Sequence, residues 1–209
     1  EISTRDWSSD VCSSDLTSDL KIKFIQISTD HYASPNQIPR SEDEVFEPVN
    51  QYGLSKLYGE KYVMNFNPEA MIVRTNFFGL HSKKQTFLSD ILEKLKRKET
   101  ISGFTDVSFT PVGLTAFSQM LNELIQRDFS GLINIGSSQV ITKYNFILLL
   151  EKIISLTDSP VLPIESKQID GRIKRPTFLA LDTNKFEKIT QYNIPDIDTM
   201  LKQELSITY

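Results

Sequence analysis

The sequence has 209 residues, of which 39% are hydrophobic and 24% are charged. A chain of this size and composition can bury a hydrophobic core, and we expect one domain, or one domain and a lobe. The net charge of -4 and the pI near 5.3 exclude an electrostatic basis for binding nucleic acid or an anionic membrane. The lone cysteine, Cys12, excludes an intrachain disulfide and a cysteine-based metal site. No apolar run reaches the roughly 18 residues of a membrane span, so we expect a cytoplasmic protein.

Residues 1–20 do not have the pattern of a folded domain. The stretch from Trp7 to Leu20 repeats Ser-Ser-Asp and related triplets without apolar periodicity, and it lacks the charged start and long apolar middle of a signal peptide. It resembles the conceptual translation of a short-read sequencing adapter, in which TGC-TCT-TCC-GAT-CT encodes Cys-Ser-Ser-Asp-Leu. We therefore expect residues 1–20 to be non-native, and a disordered Ser/Asp tail is the alternative.

The first predicted element of the fold is a buried strand over residues 22–27. Its sequence, Ile-Lys-Phe-Ile-Gln-Ile, is rich in β-formers and nearly continuous in apolar character. This pattern is typical of a parallel strand that is covered on both faces. Ser28, Thr29 and Asp30 would then lie at the carboxyl end of the strand, which is the edge where open α/β sheets bind ligands.

A helix is predicted to begin near Asn50, after a polar loop with three prolines. The apolar spacing of one helix face is made by Leu54, Leu57, Tyr58, Tyr62, Val63 and Phe66. Tyr52 and Lys56 are four residues apart and are neighbours on this helix. An ammonium held near a phenol favours the phenolate and lowers the pKa of the phenol, so Tyr52 could donate a proton to a carbonyl oxygen that Thr29 holds. Spacing alone leaves an ordinary surface pair open.

The remaining segments continue an alternating α/β pattern. Strands are predicted at residues 71–75 and 132–135, and residues 101–109 are β-like. Apolar spacing predicts helices near residues 88–95, 114–125 and 196–205, and Thr142 would cap a further helix that runs through residue 156. His31 and His81 have no partner at ligand spacing, so we interpret them as loop residues rather than metal ligands.

Four stretches together resemble the extended short-chain dehydrogenase/reductases, and among these the dTDP-4-dehydrorhamnose reductase branch of sugar-nucleotide reductases. They are Ile-Ser-Thr-Asp at 27–30, Pro-Val-Asn-Gln-Tyr-Gly-Leu-Ser-Lys-Leu-Tyr-Gly-Glu at 48–60, Ile-Val-Arg-Thr-Asn-Phe-Phe-Gly at 72–79, and Arg-Pro at 175–176 followed by Leu-Ala-Leu-Asp-Thr-Asn-Lys at 179–185. The motifs occur in family order over most of residues 21–190, which makes the set far more specific than any one of them.

The resemblance implies NAD(P)H-dependent reduction of a 4-keto group on a nucleotide-linked sugar, with NADP(H) or NAD(H) as cofactor. It assigns catalysis to Thr29, Tyr52 and Lys56, cofactor contacts to Tyr52, Lys56 and Asn76, and substrate contacts to Thr29, Asp30 and Arg175. A turn-forming role for Asn76 and a surface ion pair for Arg175 remain the alternatives. His31 stands where sugar-nucleotide 4,6-dehydratases place a glutamate, which argues against dehydration. An NDP-sugar epimerase or a non-catalytic regulatory subunit of the same fold is the alternative function.

The resemblance also implies an α/β fold with a Rossmann-like doubly wound parallel sheet. The family begins with a βαβ unit that carries a glycine-rich dinucleotide motif, and the eight glycines here make no such motif. We therefore expect the sheet to lack its N-terminal βαβ half. Residues 21–75 and 112–157 are assigned to the NAD(P)-binding half-domain, and residues 76–111 and 158–209 to a small substrate-binding lobe. The expected partner is a nucleotide-sugar substrate, without nucleic acid or membrane, and a homodimer is left open.

Overall fold

The structure is a computed structural model, and it describes residues 13–32, 37–44, 47–156, 159–168 and 174–206. In chain order the elements are α1 (residues 13–19), β1 (Ile25–Ile27), α2 (Gln51–Phe66), β2 (Met71–Thr75), β3 (Phe77–Phe78), α3 (Phe87–Lys96), β4 (Ile101–Phe104), β5 (Ser108–Phe109), β6 (Val112–Gly113), α4 (Leu114–Gln126), β7 (Gly131–Ile135), β8 (Ile141–Thr142), α5 (Lys143–Ile154), β9 (Val161–Ile164), a short 3₁₀ helix (Ser166–Gln168), β10 (Phe178–Leu179), α6 (Asn184–Thr190) and α7 (Ile197–Ser206).

A parallel three-stranded sheet with the order β1-β2-β7 forms the centre of the fold. Strand β2 matches the predicted 71–75, and all five of its residues are buried, as the continuous apolar run indicates. Strand β1 is shorter than predicted, because residues 22–24 lie outside the ladder that pairs β1 with β2. The predicted α/β class with a parallel sheet is confirmed.

Three smaller sheets lie outside this centre. They have the orders β10-β5-β8, β3-β6 and β4-β9. Among the described strands of these sheets, only the β5–β8 pair is antiparallel. The predicted β-like stretch 101–109 is interrupted, since residues 105–107 separate β4 from β5. The assignment of residues 76–111 and 158–209 to a substrate lobe stays a prediction.

The hydrophobic core is built around the aromatic ring of Phe146 on α5. This ring lies 5.2 Å from the ring of Phe78, and 5.7 Å from the rings of Phe87 and Phe109, measured between centroids. Each of these phenylalanines comes from a different element, so one residue of α5 joins β3, α3 and β5. Helix α5 begins where predicted, because the Thr142 hydroxyl accepts a hydrogen bond from the Asn145 backbone N–H at 3.0 Å.

Helix α2 begins at the predicted Asn50 but buries its predicted apolar face only in part. Val63 is fully buried, whereas the exposed fractions of Tyr58, Tyr62 and Phe66 are 48%, 41% and 46%. Besides Val63, the buried residues of the helix are Gly53, Gly59 and Glu60, which the apolar spacing does not include. A Cβ atom on Gly59 would lie 2.9 Å from the Gln26 side chain, so glycine at 59 permits the close approach of helix and strand.

A buried ion pair holds α2 against β2. The Arg74 guanidinium donates to the Glu60 carboxylate from Nη2 at 2.6 Å and from Nε at 3.0 Å. The hydroxyl of Tyr32 donates to the same carboxylate at 3.0 Å, and the Ser28 hydroxyl also donates to it. Burial and the Glu60 charge raise the pKa of Tyr32, which keeps its hydroxyl protonated as a donor.

Residues 13–19 are helical, and the prediction that residues 1–20 are a non-native or disordered segment stays a prediction. Ser14 of α1 is buried, and the Asn67 side-chain amide donates to its carbonyl oxygen at 3.3 Å. Residues 1–12, which complete the predicted segment, lie outside the described residues. None of the helices in the described part of the chain is long and apolar enough to cross a bilayer.

The Glu60–Arg74 pair generates a prediction about stability. Replacement of Arg74 by Met should lower the free energy of unfolding by about 3–5 kcal/mol, because it leaves a buried carboxylate without its counter-ion. The double variant Glu60→Gln/Arg74→Met keeps an acceptor for Tyr32 and removes both charges, so it should recover more than half of the loss. Urea denaturation monitored by circular dichroism measures both changes.

The control is Arg97→Met, since Arg97 pairs with Glu93 at 3.7 Å on the exposed surface of α3. Its effect should stay below about 1 kcal/mol. An Arg74→Met variant as stable as this control would show that the buried pair does not hold the helix in place.

Candidate active site

Polar side chains meet at the carboxyl ends of β1 and β2. Thr29 and Asp30 follow β1 and are buried, and Asn76 follows β2. The Asn76 side-chain amide donates to Asp30 Oδ2 at 2.6 Å. The Thr29 Oγ1 accepts from the backbone N–H of His31 at 3.2 Å, which fixes the turn after β1. This is the edge at which parallel sheets of this type bind ligands.

The first turn of α2 places Tyr52 at this edge, whereas Lys56 lines neither of the cavities described below. Half of the Tyr52 side chain is exposed, and its ring makes an edge-on contact with the His31 ring at 5.4 Å between centroids. Lys56 is half-buried one turn later. The close approach depends on Gly53, because a Cβ atom there would lie 2.8 Å from the His31 carbonyl oxygen. Glycine between the two predicted catalytic residues therefore lets the helix start against the turn after β1.

The third segment of the site, residues 174–176, is tied to the same helix. The Asn50 side chain caps α2 by accepting from the Gly53 backbone N–H at 2.9 Å. Its amide nitrogen donates to the Lys174 carbonyl at 3.0 Å. One asparagine thus starts the helix of Tyr52 and also places Arg175 next to it. The sequence analysis used Asn50 only as a helix start and missed this second contact.

Two neighbouring cavities open at this place, and His31 and Arg175 line both of them. The smaller cavity has a volume of about 420 Å³ and is lined by His31, Asn50, Gln51, Tyr52 and Arg175. The larger has a volume of about 610 Å³ and combines aromatic walls with cationic groups. Its aromatic residues are Phe77, Phe78, Phe87, Phe104 and Phe109, and its cations are Lys143, Lys167, Lys174 and Arg175.

The structure brings the predicted residues together to different degrees. Tyr52 and Arg175 line the smaller cavity, and Asn76 lines the larger one. Thr29 and Asp30 lie beneath the surface of the site, with exposed fractions of 5% and 3%. The catalytic, cofactor and substrate roles assigned to these residues remain predictions.

The buried Asp30 and the half-buried Lys143 interact electrostatically at this site, and only Asp30 was predicted from the sequence. Burial raises the pKa of Asp30 to about 6, against the opposing effects of the Asn76 hydrogen bond and the Lys143 charge. Burial lowers the pKa of Lys143 to about 8, although the negative charge of Asp30 opposes that shift. Lys143 was missed because it follows the cap Thr142 in an otherwise ordinary helix start. A signal was present, since a lysine at the first helical position is disfavoured by the helix dipole.

His31 is the second residue that the sequence analysis left without a role. Burial lowers the pKa of His31, and the positive charges of Arg175 and Lys143 add to the effect, so the imidazole is neutral at pH 7. Its Nδ1 atom lies 3.9 Å from Asp30 Oδ1 and has no hydrogen-bond partner in the described structure. Among the described residues, no group of three or more His, Cys, Asp or Glu side chains is arranged to hold a metal ion.

Comparison with curated proteins identifies relatives that include reductases and a subunit of methionine adenosyltransferase. The chain is 30% identical over 178 residues to a probable low-salt glycan biosynthesis reductase of Haloferax volcanii, covering 81% of this chain and 58% of that protein. It is 25% identical over 184 residues to methionine adenosyltransferase 2 subunit beta of Xenopus tropicalis, covering 79% of this chain and 52% of that protein. The chain therefore spans between half and two thirds of the length of these relatives.

The fold and the family follow from two further comparisons. The structure matches a crystal structure of dTDP-4-dehydrorhamnose reductase from Bacillus anthracis in complex with NADP, with a TM-score of 0.89 and 21% identity, over 96% of this chain and 71% of that chain. At this identity the match establishes the fold alone. The family model described as the RmlD substrate binding domain matches residues 13–208. The resemblance seen in the sequence motifs is thus confirmed, and the chain belongs to the RmlD substrate binding domain family.

Proposed function

We propose that this chain carries the substrate-binding and catalytic residues of a reductase that converts the 4-keto group of a nucleotide-linked sugar to an alcohol. One observation carries the proposal: three segments that are distant in sequence meet at a single cavity. His31 from the turn after β1, Tyr52 from α2 and Arg175 from the segment 174–176 line it together. The similarity to the probable low-salt glycan biosynthesis reductase of Haloferax volcanii supports the same reaction class.

In this proposal Tyr52 is the proton donor to the keto oxygen. Its side chain is half exposed and reaches the cavity, which is the geometric requirement for a general acid. Thr29 accepts the His31 N–H through its hydroxyl oxygen, and its own O–H forms a hydrogen bond to the Asp30 carboxylate. In this proposal the hydroxyl turns from Asp30 to the keto oxygen when the substrate binds. Lys56, one helical turn after Tyr52, stabilises the phenolate that forms when the proton leaves.

NADP(H) or NAD(H) is the proposed cofactor, and it would supply the hydride. Tyr52 is exposed and Lys56 is half-buried one turn later, so a hydroxyl and an ammonium are neighbours on α2, which fits a ribose with its paired hydroxyl groups. Asn76 lines the larger cavity and is the third proposed contact. These residues fit the nicotinamide and ribose end of the cofactor. The 209 residues contain no glycine-rich turn for its pyrophosphate.

The substrate is proposed to occupy the larger cavity, with its diphosphate at Arg175. This side chain is exposed at the rim of both cavities, and no carboxylate among the described residues forms an ion pair with it. That geometry favours a phosphate-binding role over a surface ion pair, because a guanidinium binds phosphate oxygens through paired hydrogen bonds. The aromatic walls suit the flat faces of a base and a sugar.

A non-catalytic role is the second candidate, and the similarity to methionine adenosyltransferase 2 subunit beta favours it. A regulatory subunit of this fold would bind a protein partner and would not need Tyr52 as a proton donor. The two functions therefore differ in what a substitution of Tyr52 does.

Tyr52→Phe should lower the rate of keto-sugar reduction by roughly 10²- to 10⁴-fold, because it removes the acid and keeps the ring. The assay follows oxidation of NADPH with a 4-keto nucleotide sugar. It uses the chain joined to an N-terminal βαβ unit with a glycine-rich motif. Tyr58→Phe, an exposed tyrosine on the same helix, is the matched control and should leave the rate unchanged. Reduction that survives Tyr52→Phe would remove Tyr52 from the mechanism, and a wild type without reductase activity would favour the regulatory role.

Lys56→Met and Thr29→Val should separate cofactor binding from substrate chemistry in the same assay. Lys56→Met loses both the stabilisation of the phenolate and the ribose contact, so it should raise the Kd for NADPH as well as lower kcat. Thr29→Val keeps the side-chain shape without the hydroxyl, so its smaller loss should leave NADPH binding unchanged. Equal effects of the two variants on NADPH binding would contradict these roles.

A further inference from the structure

Lys143 is placed where a lysine is unfavourable for stability. It is the first residue of α5, where the helix dipole is positive. Its ammonium lies over two aromatic rings, 3.4 Å from the centroid of Phe109 and 4.5 Å from the centroid of Phe87. Although Asp30 acts on it electrostatically, the two side chains do not form a direct ion pair. Among the described residues, no side-chain or backbone oxygen accepts a hydrogen bond from this ammonium.

An ammonium has three N–H donors, and in water each of them finds an acceptor. Lys143 is half-buried, so part of the water around its ammonium is replaced by the faces of two rings, which recover part of the lost hydration energy. A leucine or methionine would fill the same aromatic surroundings without this cost. Because Lys143 lines the larger cavity, a ligand oxygen in that cavity can supply the acceptor that the protein lacks.

The position of Lys143 indicates which part of a ligand it meets. Lys174 and Arg175 are exposed at the rim of the cavity, whereas Lys143 lies beside Asp30, the residue after the proposed catalytic Thr29. The reacting end of a nucleotide sugar must reach Thr29, so the sugar and not the diphosphate comes next to Lys143. The charge of Asp30 already balances that of Lys143, so a neutral oxygen fits there better than a second anion.

We infer that Lys143 is a sugar-binding residue, whose ammonium donates hydrogen bonds to a hydroxyl or keto oxygen of the sugar ring and so selects the sugar that enters the cavity. This inference rests on the proposed function, since it takes a nucleotide sugar as the ligand. The sequence motifs that resemble the reductase family do not include Lys143, so the contact between Lys143 and the sugar is an additional one. The rim residue Arg175 binds the diphosphate, and the two contacts are energetically separable.

Calorimetric titration of the 209-residue chain with dTDP and with dTDP-glucose tests the inference. The two probes differ only in the sugar, so the ratio of their Kd values measures what the sugar contributes. Lys143→Met should weaken dTDP-glucose binding by about tenfold, the usual effect of losing a hydrogen bond to a charged group, and leave dTDP binding within about twofold. Lys143→Gln keeps a donor without the charge and should fall between wild type and Lys143→Met. Arg175→Met should weaken both probes equally.

Lys152→Met is the matched control, because Lys152 is exposed in the last turn of the same helix. It should change neither titration. If both probes bind the wild type and Lys143→Met leaves their ratio unchanged, the inference is wrong and the proposed function stands. If Lys143→Met weakens dTDP and dTDP-glucose equally, Lys143 binds the phosphates and the inference is also wrong. A wild-type chain that binds neither probe overturns both.

Thermal stability gives a second test that needs no ligand. Because the pKa of Asp30 is raised to about 6, the native state binds a proton at this carboxyl at a higher pH than the unfolded state does. The negative charge of Asp30 destabilises the native state, and it is lost as the pH falls below 6. The pKa of Lys143 is lowered to about 8, so its cost is present below pH 8 and is relieved as the pH rises above that value. Between about pH 6 and 8 both side chains are therefore charged in the native state, and both charges lower its stability.

The double variant Asp30→Asn/Lys143→Met removes both charges and should have a Tm at least about 2 °C above that of the wild type at pH 7. The difference should shrink at pH 5, where Asp30 of the wild type is protonated. The other charged or titratable groups that line the cavity with Lys143 are unchanged in the variant; they are His31, Lys167, Lys174 and Arg175. A double variant that melts below the wild type at pH 7 would show that the pair is structural, and the inference would fail.

Discussion

Glu60 and Arg74 form an ion pair between α2 and β2 in the interior of the protein, where a carboxylate without a counter-ion is costly. The Ser28 hydroxyl adds a hydrogen bond to the same carboxylate, so the pair also fixes the end of β1. Glu60 follows Tyr52 and Lys56 at four-residue spacing and lies near their face of the helix. The Glu60–Arg74 ion pair, two helical turns after Tyr52, thus fixes the distance and the angle of Tyr52 and Lys56 relative to the strand ends.

The packing of α2 explains why this anchor is polar. Glycines at 53 and 59 let the helix backbone come so close to the turn after β1 and to β1 itself that no large side chain fits between them. With little apolar volume at that contact, orientation depends on directional hydrogen bonds rather than on filling space. The aromatic residues Tyr58, Tyr62 and Phe66 point away from the sheet for the same reason.

The Asp30 and Lys143 pair is a different kind of buried polar contact. Glu60 and Arg74 are joined by direct hydrogen bonds. Asp30 and Lys143 lie beside a cavity and form no direct hydrogen bond. Desolvation shifts both of their pKa values in the direction that favours the neutral side chain. Buried polar groups that are left incompletely satisfied are expected where a ligand completes them. The Glu60 and Arg74 pair thus stabilises the fold, whereas the Asp30 and Lys143 pair is proposed to lower stability and to contribute to ligand binding.

The sequence by itself determined the α/β class, the strand at 71–75, the helix starts at Asn50 and Thr142, and the family, because these depend on local periodicity, capping and motif order. It also placed Tyr52 and Lys56 one turn apart. Only the tertiary structure decided which face of α2 is buried, since the glycine contacts that decide it involve residues more than twenty positions away. Likewise Lys143 joins the site only through folding, because burial and the charge of Asp30, more than a hundred residues earlier in the chain, are properties of three-dimensional proximity that no local pattern encodes.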